Sequence, residues 1–223
     1  MATVFDSDEG IEEIYRHFIG EKQLINDDSP SIDIFDIDYF KARMASLTQA
    51  FPEDFFLHAL ALKGNSLRGV LRLALESGMG GECASLPEAL HALSVGFPPH
   101  KVVFDSPCKT KNDIQTALEA GIIMNLDNEH EVKVVDDLLK IKDFPPTVLG
   151  IRINPVVGEG SIAMMSTASK LSKFGVPLVA ETKDRILDLY QKYTWLNGIH
   201  FHVGSQGVPI ELFVNAAKVF NYS

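Results

Sequence analysis

The sequence has few cysteines, and neither lies in a spacing that builds a structural site. Cys83 and Cys108 are the two cysteines of 223 residues, and neither belongs to a CxxC or a Cys/His pattern. A disulfide scaffold and a structural zinc site are therefore not expected. We predict that the protein is located in the reducing cytoplasm and needs no metal. The acidic N-terminus also lacks the basic and apolar regions of a secretory signal.

Positive charge and long apolar runs are scarce as well. The chain carries 20 Lys and Arg against 30 Asp and Glu, a net charge of −10. This balance disfavours a nucleic-acid partner and an anionic membrane surface, because both attract clustered cations. Apolar stretches such as Val148–Ile153 are far shorter than the roughly 20 residues that cross a bilayer. We therefore expect a globular protein that binds neither nucleic acid nor membrane.

From residue 55 onward, short apolar runs alternate with turns and with amphipathic stretches of helical periodicity. The runs are rich in Val, Ile and Phe and almost continuously apolar, which is typical of strands buried on both faces of a parallel sheet. The predicted strands are Phe55–Leu62, Gly81–Ala84, Lys101–Phe104, Ile122–Asn125, Val148–Asn154 and Gly198–His202.

The stretches between the strands predict helices. Ser85, Thr110 and Asn128 stand where N-caps are expected, and Gly96 marks a helix end. The predicted helices are Leu67–Ser77, Leu86 to about Gly96, Thr110–Ala120, Asn128–Lys140, Glu181–Tyr193 and a last one from Ile210.

About six strand–helix units favour an α/β fold of the (β/α)8 TIM-barrel type that is incomplete within this chain. An open doubly wound sheet is the structural alternative, although the turn after the first strand lacks GxGxxG. Residues 1–38 are predicted to lead into a barrel domain of residues 39–223 whose first helix is Tyr39–Ala50. Ser31–Asp38 alternates polar and apolar residues, as a half-exposed strand does.

Chemistry in a barrel lies at the carboxyl ends of the strands, and Lys63 closes the first of them. A buried lysine loses its charge more easily, and its free amine can attack a carbonyl. Lys63 is therefore a candidate Schiff-base lysine. The alternative is a lysine that extends from a strand end into solvent.

The sixth strand ends in two histidines, His200 and His202, followed by Gly204 and Ser205. Histidines two apart on a strand face the same side and suit either metal binding or packing against an aromatic ligand. A glycine and a serine directly after them suit phosphate binding. The alternative is a satisfied core histidine followed by an ordinary turn.

Two charged residues complete the candidate set. Glu82 lies at the end of the second strand and can balance a cationic intermediate, pair with a lysine, or simply be solvated. Arg152 lies inside the apolar fifth strand, where it needs either a protein carboxylate or a ligand anion as its partner.

Several segments together resemble the fold-type III pyridoxal-phosphate-dependent decarboxylases, which include the ornithine, arginine and diaminopimelate decarboxylases. The segment around Lys63 and Asn65, Ala-Leu-Lys-Gly-Asn-Ser, is similar to that family's lysine signature. The diaminopimelate branch is the most similar. The other matching segments, in family order, begin at Glu82, Gly96, Pro107, Arg152, Ser172 and His200.

The resemblance implies an alanine racemase-like barrel that binds pyridoxal 5′-phosphate and decarboxylates a basic or dibasic amino acid such as diaminopimelate or ornithine. It implies that Lys63 holds the cofactor, that His202 stacks on its ring and that Ser205 binds its phosphate. Glu82 and Arg152 stand at further cofactor-binding positions. Glu82 replaces the more usual Asp, and Gly64 replaces the more usual Ala. The resemblance also implies a homodimer for a full-length protein.

Three features of the family are not found in these 223 residues. They are a Gly-rich phosphate loop, an acidic partner for the pyridine nitrogen and a C-terminal β-domain. We therefore expect low activity from the isolated chain. A non-catalytic regulator of the antizyme-inhibitor type and a related barrel enzyme such as a racemase are the alternative functions.

Overall fold

The computed structural model describes residues 7–21, 24–158, 168, 172–205 and 208–221. The seven strands are β1 (Ala59–Ala61), β2 (Gly80–Cys83), β3 (Val102–Phe104), β4 (Ile123–Leu126), β5 (Leu149–Asn154), β6 (Val176–Pro177) and β7 (Gly198–His200). The helices are α1 (Asp8–Tyr15), α2 (Ile37–Ala50), α3 (Arg68–Glu76), α4 (Leu86–Val95), α5 (Lys111–Ala120), α6 (Glu129–Leu139), α7 (Ala180–Lys192) and α8 (Ile210–Asn221).

The chain divides into two compact units. The first comprises Met1–His58 with Glu76–Met79, and the second comprises Ala59–Leu75 with Gly80–Ser223. This division groups α2 with the N-terminal residues, whereas the sequence suggested that it begins the barrel domain at residue 39. The extent of the domain stays a prediction.

In the second unit, all the strand pairs are parallel. The order β1-β2-β3-β4-β5 follows the chain, and β5 then pairs with both β6 and β7. A doubly wound sheet reverses its strand order at a switch point, and no reversal is found among the described strands. The predicted parallel α/β arrangement is confirmed.

One contact shows that this sheet is strongly curved. β4 and β5 lie between β3 and β7, so three strand spacings would separate them by about 14 Å in a flat sheet. Asp105, directly after β3, nevertheless lies 3.4 Å from His200 on β7. Two side chains of this length reach each other only if the sheet rolls around its interior, as in a barrel.

The core of the second unit lies between the outer face of the sheet and the helices. Outward-facing strand residues and the inner faces of the helices are fully buried there; the largest include Leu62, Leu71, Phe104, Ile114, Leu118, Met124, Leu126 and Ile151. The predicted N-caps are confirmed, since the side chains of Ser85, Thr110 and Asn128 accept hydrogen bonds from the first turns of α4, α5 and α6. Gly96 ends α4 with φ 115°, a conformation that favours glycine.

Three sequence-based expectations differ from the structure. The first strand is only Ala59–Ala61, because the backbone turns just before it, where Phe56 N donates to the carbonyl oxygen of Glu53 at 3.0 Å. Ser31–Asp38 forms no strand, because Asp36 caps α2 by accepting a hydrogen bond from Tyr39 N. The two-residue strand β6 was not predicted, since two residues carry no readable alternation.

In the first unit, α1 was likewise not predicted; Ser7 caps it. No helix in the described part of the chain combines the length and the apolar character needed to cross a membrane.

Candidate functional site

Polar side chains gather where the parallel strands end. Because the strands run in one direction, their carboxyl ends share one rim of the curved sheet. The side chains at or directly after these ends are Lys63, Glu82, Asp105, Asp127, Arg152, His200 and His202. Three of the five site residues predicted from the sequence, Glu82, Arg152 and His202, are buried or half-buried there, and Lys63 and Ser205 are exposed.

Lys63 lies on a single 3-10 turn, Leu62–Gly64, that directly follows β1. Leu62 is fully buried and anchors this turn, while Asn65 closes it by accepting a hydrogen bond from Leu67 N at 3.1 Å. The Lys63 side chain is exposed. The sequence analysis expected a buried lysine, and this burial is not observed. Lys63 lies two residues beyond Ala61, the register partner of Glu82, and its charge acts to lower the pKa of both Glu82 and His202.

Glu82 and Asp105 form a carboxyl pair on neighbouring strands. Burial is the main cause that raises the pKa of Glu82 to about 8, followed by its hydrogen bond to Asp105 and by the negative charges of Asp105 and Glu88. The charge of Lys63 acts in the opposite direction. Glu82 is therefore largely protonated near neutral pH.

His200 is half-buried and lies opposite Arg152 in the pairing of β7 with β5. Burial lowers its pKa to about 4, although Asp105, at 3.4 Å from Nε2, acts to raise it. Its Nδ1 atom is buried and has no hydrogen-bond partner in the described part of the chain. His202 follows β7, and burial, Arg152 and Lys63 lower its pKa. Both imidazoles thus have a pKa below that of an ordinary histidine.

Arg152 is buried and has a partner within the protein. Its Nη1 atom lies 3.8 Å from Asp127 Oδ1, and its guanidinium lies over the Phe174 ring, 4.7 Å from the centroid. Burial raises the pKa of Asp127, and the hydrogen bond from Gly175 N at 3.3 Å opposes this effect. Arg152 thus has a protein carboxylate as its partner, one of the two alternatives that the sequence suggested. The pair is 3.8 Å apart, so N–H donors of the guanidinium remain available for a ligand anion.

Gly175 is needed beside Arg152. Its φ is 69°, and a Cβ atom there would lie 2.9 Å from both Cγ and the carbonyl oxygen of Arg152. This close backbone approach explains the glycine in the segment that begins at Ser172.

A second, fully buried ion pair lies beneath the rim. Lys109 Nζ contacts Glu131 Oε2 at 2.8 Å and donates to the carbonyls of Ser106 and Asn125 at 2.6 and 2.8 Å. The Glu131 carboxylate also accepts the backbone N–H groups of Lys109 and Asp127 at 3.0 and 2.8 Å. These bonds connect the loop after β3 with the loop after β4.

Ser205 lies in an exposed bend after Gly204, beyond the end of β7. Gln206 of the same sequence motif lies outside the described residues. The exposed hydroxyl is accessible to a ligand phosphate, and its role stays a prediction.

Sequence reasoning missed Asp105, Asp127, Lys109 and Glu131. The first two were accessible to the rule that identified Glu82, because each directly follows a strand. Lys109 and Glu131 carry no such signal, since they are 22 residues apart and pair only in the fold. No group of three or more His, Cys, Asp or Glu side chains suited to hold a metal ion occurs among the described residues.

Comparisons with known proteins place this arrangement in a family. Residues 37–221 match the family model described as the pyridoxal binding domain of pyridoxal-dependent decarboxylases. The diaminopimelate decarboxylase of Campylobacter jejuni is 29% identical over 199 residues, which are 89% of this chain and 49% of that protein. The diaminopimelate decarboxylase of Bacteroides thetaiotaomicron is 36% identical over 157 residues, covering 69% and 40%.

Solved structures agree with this result. Diaminopimelate decarboxylase from Helicobacter pylori, complexed with L-lysine, superposes with a TM-score of 0.71 at 29% identity, covering 84% of this chain and 49% of that chain. The enzyme from Methanocaldococcus jannaschii, also in complex with L-lysine, gives a TM-score of 0.70 at 27% identity, covering 83% and 44%. The chain thus spans about half the length of the relatives it matches.

Proposed function

From the premise that the chain belongs to the pyridoxal-dependent decarboxylase family, whose pyridoxal-binding domain it contains, we propose that Lys63 attaches pyridoxal 5′-phosphate and that the site serves the decarboxylation of an amino acid. The observation that carries this proposal is the position of Lys63 at the rim of a curved parallel sheet, on the turn directly after β1 and two residues beyond the register partner of Glu82.

The residues present fit this cofactor. An aldehyde requires an accessible amine, and Lys63 is exposed on an anchored turn. An aromatic ring requires an apolar or uncharged surface, and His202 is a half-buried imidazole with a lowered pKa. A phosphate requires hydroxyl and backbone donors, and Ser205 lies exposed after Gly204. The buried Nδ1 atom of His200, without a partner among the described residues, provides an acceptor.

Each residue then has a defined role. Lys63 is the point of covalent attachment, His202 supports the ring face, and Ser205 binds the phosphate. Arg152 holds an anionic group with the donors that Asp127 leaves free at 3.8 Å. Glu82 stays uncharged beside Lys63. When bound, the cofactor supplies an electron sink for the electron pair released with CO2, and these side chains supply binding and orientation.

The substrate we propose is a basic or dibasic amino acid. Two relatives of known structure are diaminopimelate decarboxylases complexed with L-lysine, which supports diaminopimelate before ornithine or arginine. We also propose a cytoplasmic location and a homodimer for the full-length protein. The isolated 223-residue chain is proposed to turn over slowly, because its relatives are about twice as long.

The attachment test uses the purified chain with pyridoxal 5′-phosphate. Borohydride reduction followed by peptide mass spectrometry is expected to find the cofactor on Lys63. Lys63→Ala should abolish the adduct, and the matched control Lys133→Ala, on the exposed face of α6, should retain it. An adduct on other lysines, or none, would refute the proposal.

Activity is measured separately, as CO2 released from diaminopimelate, ornithine, arginine and lysine. Cofactor attachment with no CO2 release from any of them would favour a regulatory role. Exchange of the substrate α-proton with solvent, without CO2 release, would indicate a racemase.

A further inference from the structure

Asp105 makes two polar contacts with other side chains of the rim. Its carboxylate lies on the same face of the sheet as Glu82, because the register partner of Glu82 is Val103, two residues before Asp105, and the two carboxyl groups are hydrogen-bonded. Its Oδ2 atom lies 3.4 Å from His200 Nε2 across the curved sheet. The side chains of Asp105 and His200 are 13% and 17% exposed, so water competes little for these contacts. Asp105 thus connects β2 with β7 through the interior of the sheet.

The chemistry of these groups determines where the protons lie. A carboxylate only accepts hydrogen bonds, so two carboxyl groups bond to each other only if one of them is protonated. Burial and the neighbouring negative charges raise the pKa of Glu82 to about 8, which favours Glu82 as the protonated member. By the same reasoning, the contact between His200 Nε2 and Asp105 Oδ2 at 3.4 Å favours a proton on Nε2 and leaves Nδ1 as the acceptor.

We propose that Asp105 is a positioning residue of the site, whose carboxylate accepts hydrogen bonds from Glu82 and from His200 at once and so fixes a protonated Glu82 and the Nε2–H tautomer of His200 beside Lys63. The benefit for the site rests on the proposed function. An ionised Glu82 would form an ion pair with the nearby Lys63 and occupy the amine that must react. An uncharged Glu82 leaves that amine available.

The protonation of Glu82 depends on all the charged groups near it. Asp105 and Glu88 favour its protonated form, and Lys63 favours its ionised form. Arg152 is also close enough for Glu82 to influence its pKa. Asp105 differs from the other three because it bonds to the carboxyl group itself, so its replacement has the most direct effect.

The test is done on the chain without cofactor and compares Asp105→Ala with Asp105→Asn. Nitrogen-15 NMR of labelled histidine reports the His200 tautomer, and carbon-13 NMR of labelled glutamate reports the titration of Glu82. In the unsubstituted chain we expect the Nε2–H tautomer and a Glu82 midpoint well above that of an ordinary glutamate. Asp105→Ala should give mixed tautomers and lower the Glu82 midpoint by at least about one pH unit.

Asp105→Asn tests the contact with Glu82 and the contact with His200 independently. Its amide oxygen still accepts from His200, so the tautomer should persist. Its NH2 group donates to an ionised Glu82, so the Glu82 midpoint should fall. If the Asp105 variants do not fold, Glu82→Gln provides the second route: its amide donates to Asp105 and should leave the His200 tautomer unchanged. An Nδ1–H tautomer in the unsubstituted chain, or unchanged titrations in Asp105→Ala, would overturn the proposal.

A cofactor measurement keeps this inference distinct from the proposed function. Asp105→Ala should slow covalent attachment of pyridoxal 5′-phosphate to Lys63 by about tenfold, the scale of one charge-assisted hydrogen bond. If the unsubstituted chain never attaches the cofactor, the proposed function fails and the NMR result still decides the role of Asp105. Normal attachment in Asp105→Ala together with altered titrations would limit Asp105 to a structural role.

Discussion

Two buried ion pairs of the curved sheet are built differently. Lys109 and Glu131 are 0% and 3% exposed, lie 2.8 Å apart, and both have further hydrogen bonds to backbone groups. Arg152 and Asp127 are 10% and 7% exposed and lie 3.8 Å apart, with an aromatic ring and one backbone N–H as their other described contacts. The first pair has nearly all its hydrogen-bonding capacity used, and the second does not.

This difference distinguishes an ion pair that stabilises the fold from one that can also bind a ligand. A buried charge whose hydrogen bonds are all made within the protein holds its surroundings in place and has nothing left for a ligand. A buried charge with a distant partner keeps donors that a ligand anion can use. We therefore propose that Lys109 and Glu131 support the framework of the site and that Arg152 binds a ligand.

The largest expected effect is on the framework pair. Lys109→Met or Glu131→Gln leaves an uncompensated buried charge and should lower the free energy of unfolding by about 3–5 kcal/mol. Denaturant unfolding monitored by circular dichroism measures this. The control Lys133→Met breaks an exposed pair with Asp137 at 2.9 Å and should cost less than about 1 kcal/mol. The double variant Lys109→Met/Glu131→Leu removes both charges but leaves the backbone N–H groups of residues 109 and 127 without their acceptor, so it should recover only part of the loss. A loss in the double variant equal to the sum of the two single losses would contradict this interpretation.

Gly175→Ala is expected to have the next largest effect. It forces a side chain into a left-handed conformation against Arg152 and should cost about 1–3 kcal/mol. Gly69→Ala on α3 is the control, since nothing lies within 4 Å of its added Cβ atom. If both variants unfold at the same denaturant concentration, the close approach at Gly175 does not constrain Arg152.

The protonation states of Glu82 and His200 predict a pH dependence. Between pH 4.5 and about 8 the folded state retains a proton on Glu82 that the unfolded state loses, so this group's contribution falls as the pH rises. Between pH 6.5 and about 4 the folded state leaves His200 neutral while the unfolded state protonates it, so this contribution falls as the pH falls.

From pH 4.5 to 6.5, the contributions of Glu82 and His200 to stability change with pH in opposite directions. From pH 6.5 to about 8, only the contribution of Glu82 changes with pH. Relative to Glu82→Gln, the unsubstituted chain should therefore lose about 1 kcal/mol of stability over the upper range, after allowance for solvent screening. Denaturant titrations at several pH values measure this, and parallel curves for the two proteins would contradict it.

The smallest effect on stability is expected at Ser205. Ser205→Ala removes an exposed hydroxyl and should change the free energy of unfolding by less than about 0.5 kcal/mol. It should weaken pyridoxal 5′-phosphate binding by roughly tenfold if the hydroxyl binds the phosphate. Equilibrium dialysis measures the affinity, and an unchanged affinity would remove Ser205 from the site.

Much of the fold could be predicted because it is encoded locally. The caps at Ser85, Thr110 and Asn128 are set by side chains that bond within one helical turn, and the apolar strands need only a few consecutive residues. Ser31–Asp38 was misread because one local signal, the Asp36 cap, prevailed over the alternation around it.

Part of the candidate site could be predicted in the same way. Lys63, Glu82, Arg152 and His202 lie near the carboxyl ends of strands or shortly after them, so a single rule predicted them at one rim. The exposure of Lys63 could not be deduced from the sequence, because it depends on which chain segments cover the rim. The partners Asp105 and Lys109 were missed because their contacts with His200 and Glu131 join residues far apart in sequence.

The sequence by itself determined the parallel α/β order of elements and which polar residues stand at strand ends, because both follow from periodicity and turn chemistry within short windows. Only the tertiary structure decided which of those residues meet. The curvature of the sheet brings Asp105 to His200 across two intervening strands, and burial there sets the proton on Glu82. Distance and dielectric environment are properties of the folded chain, and no short stretch of sequence contains them.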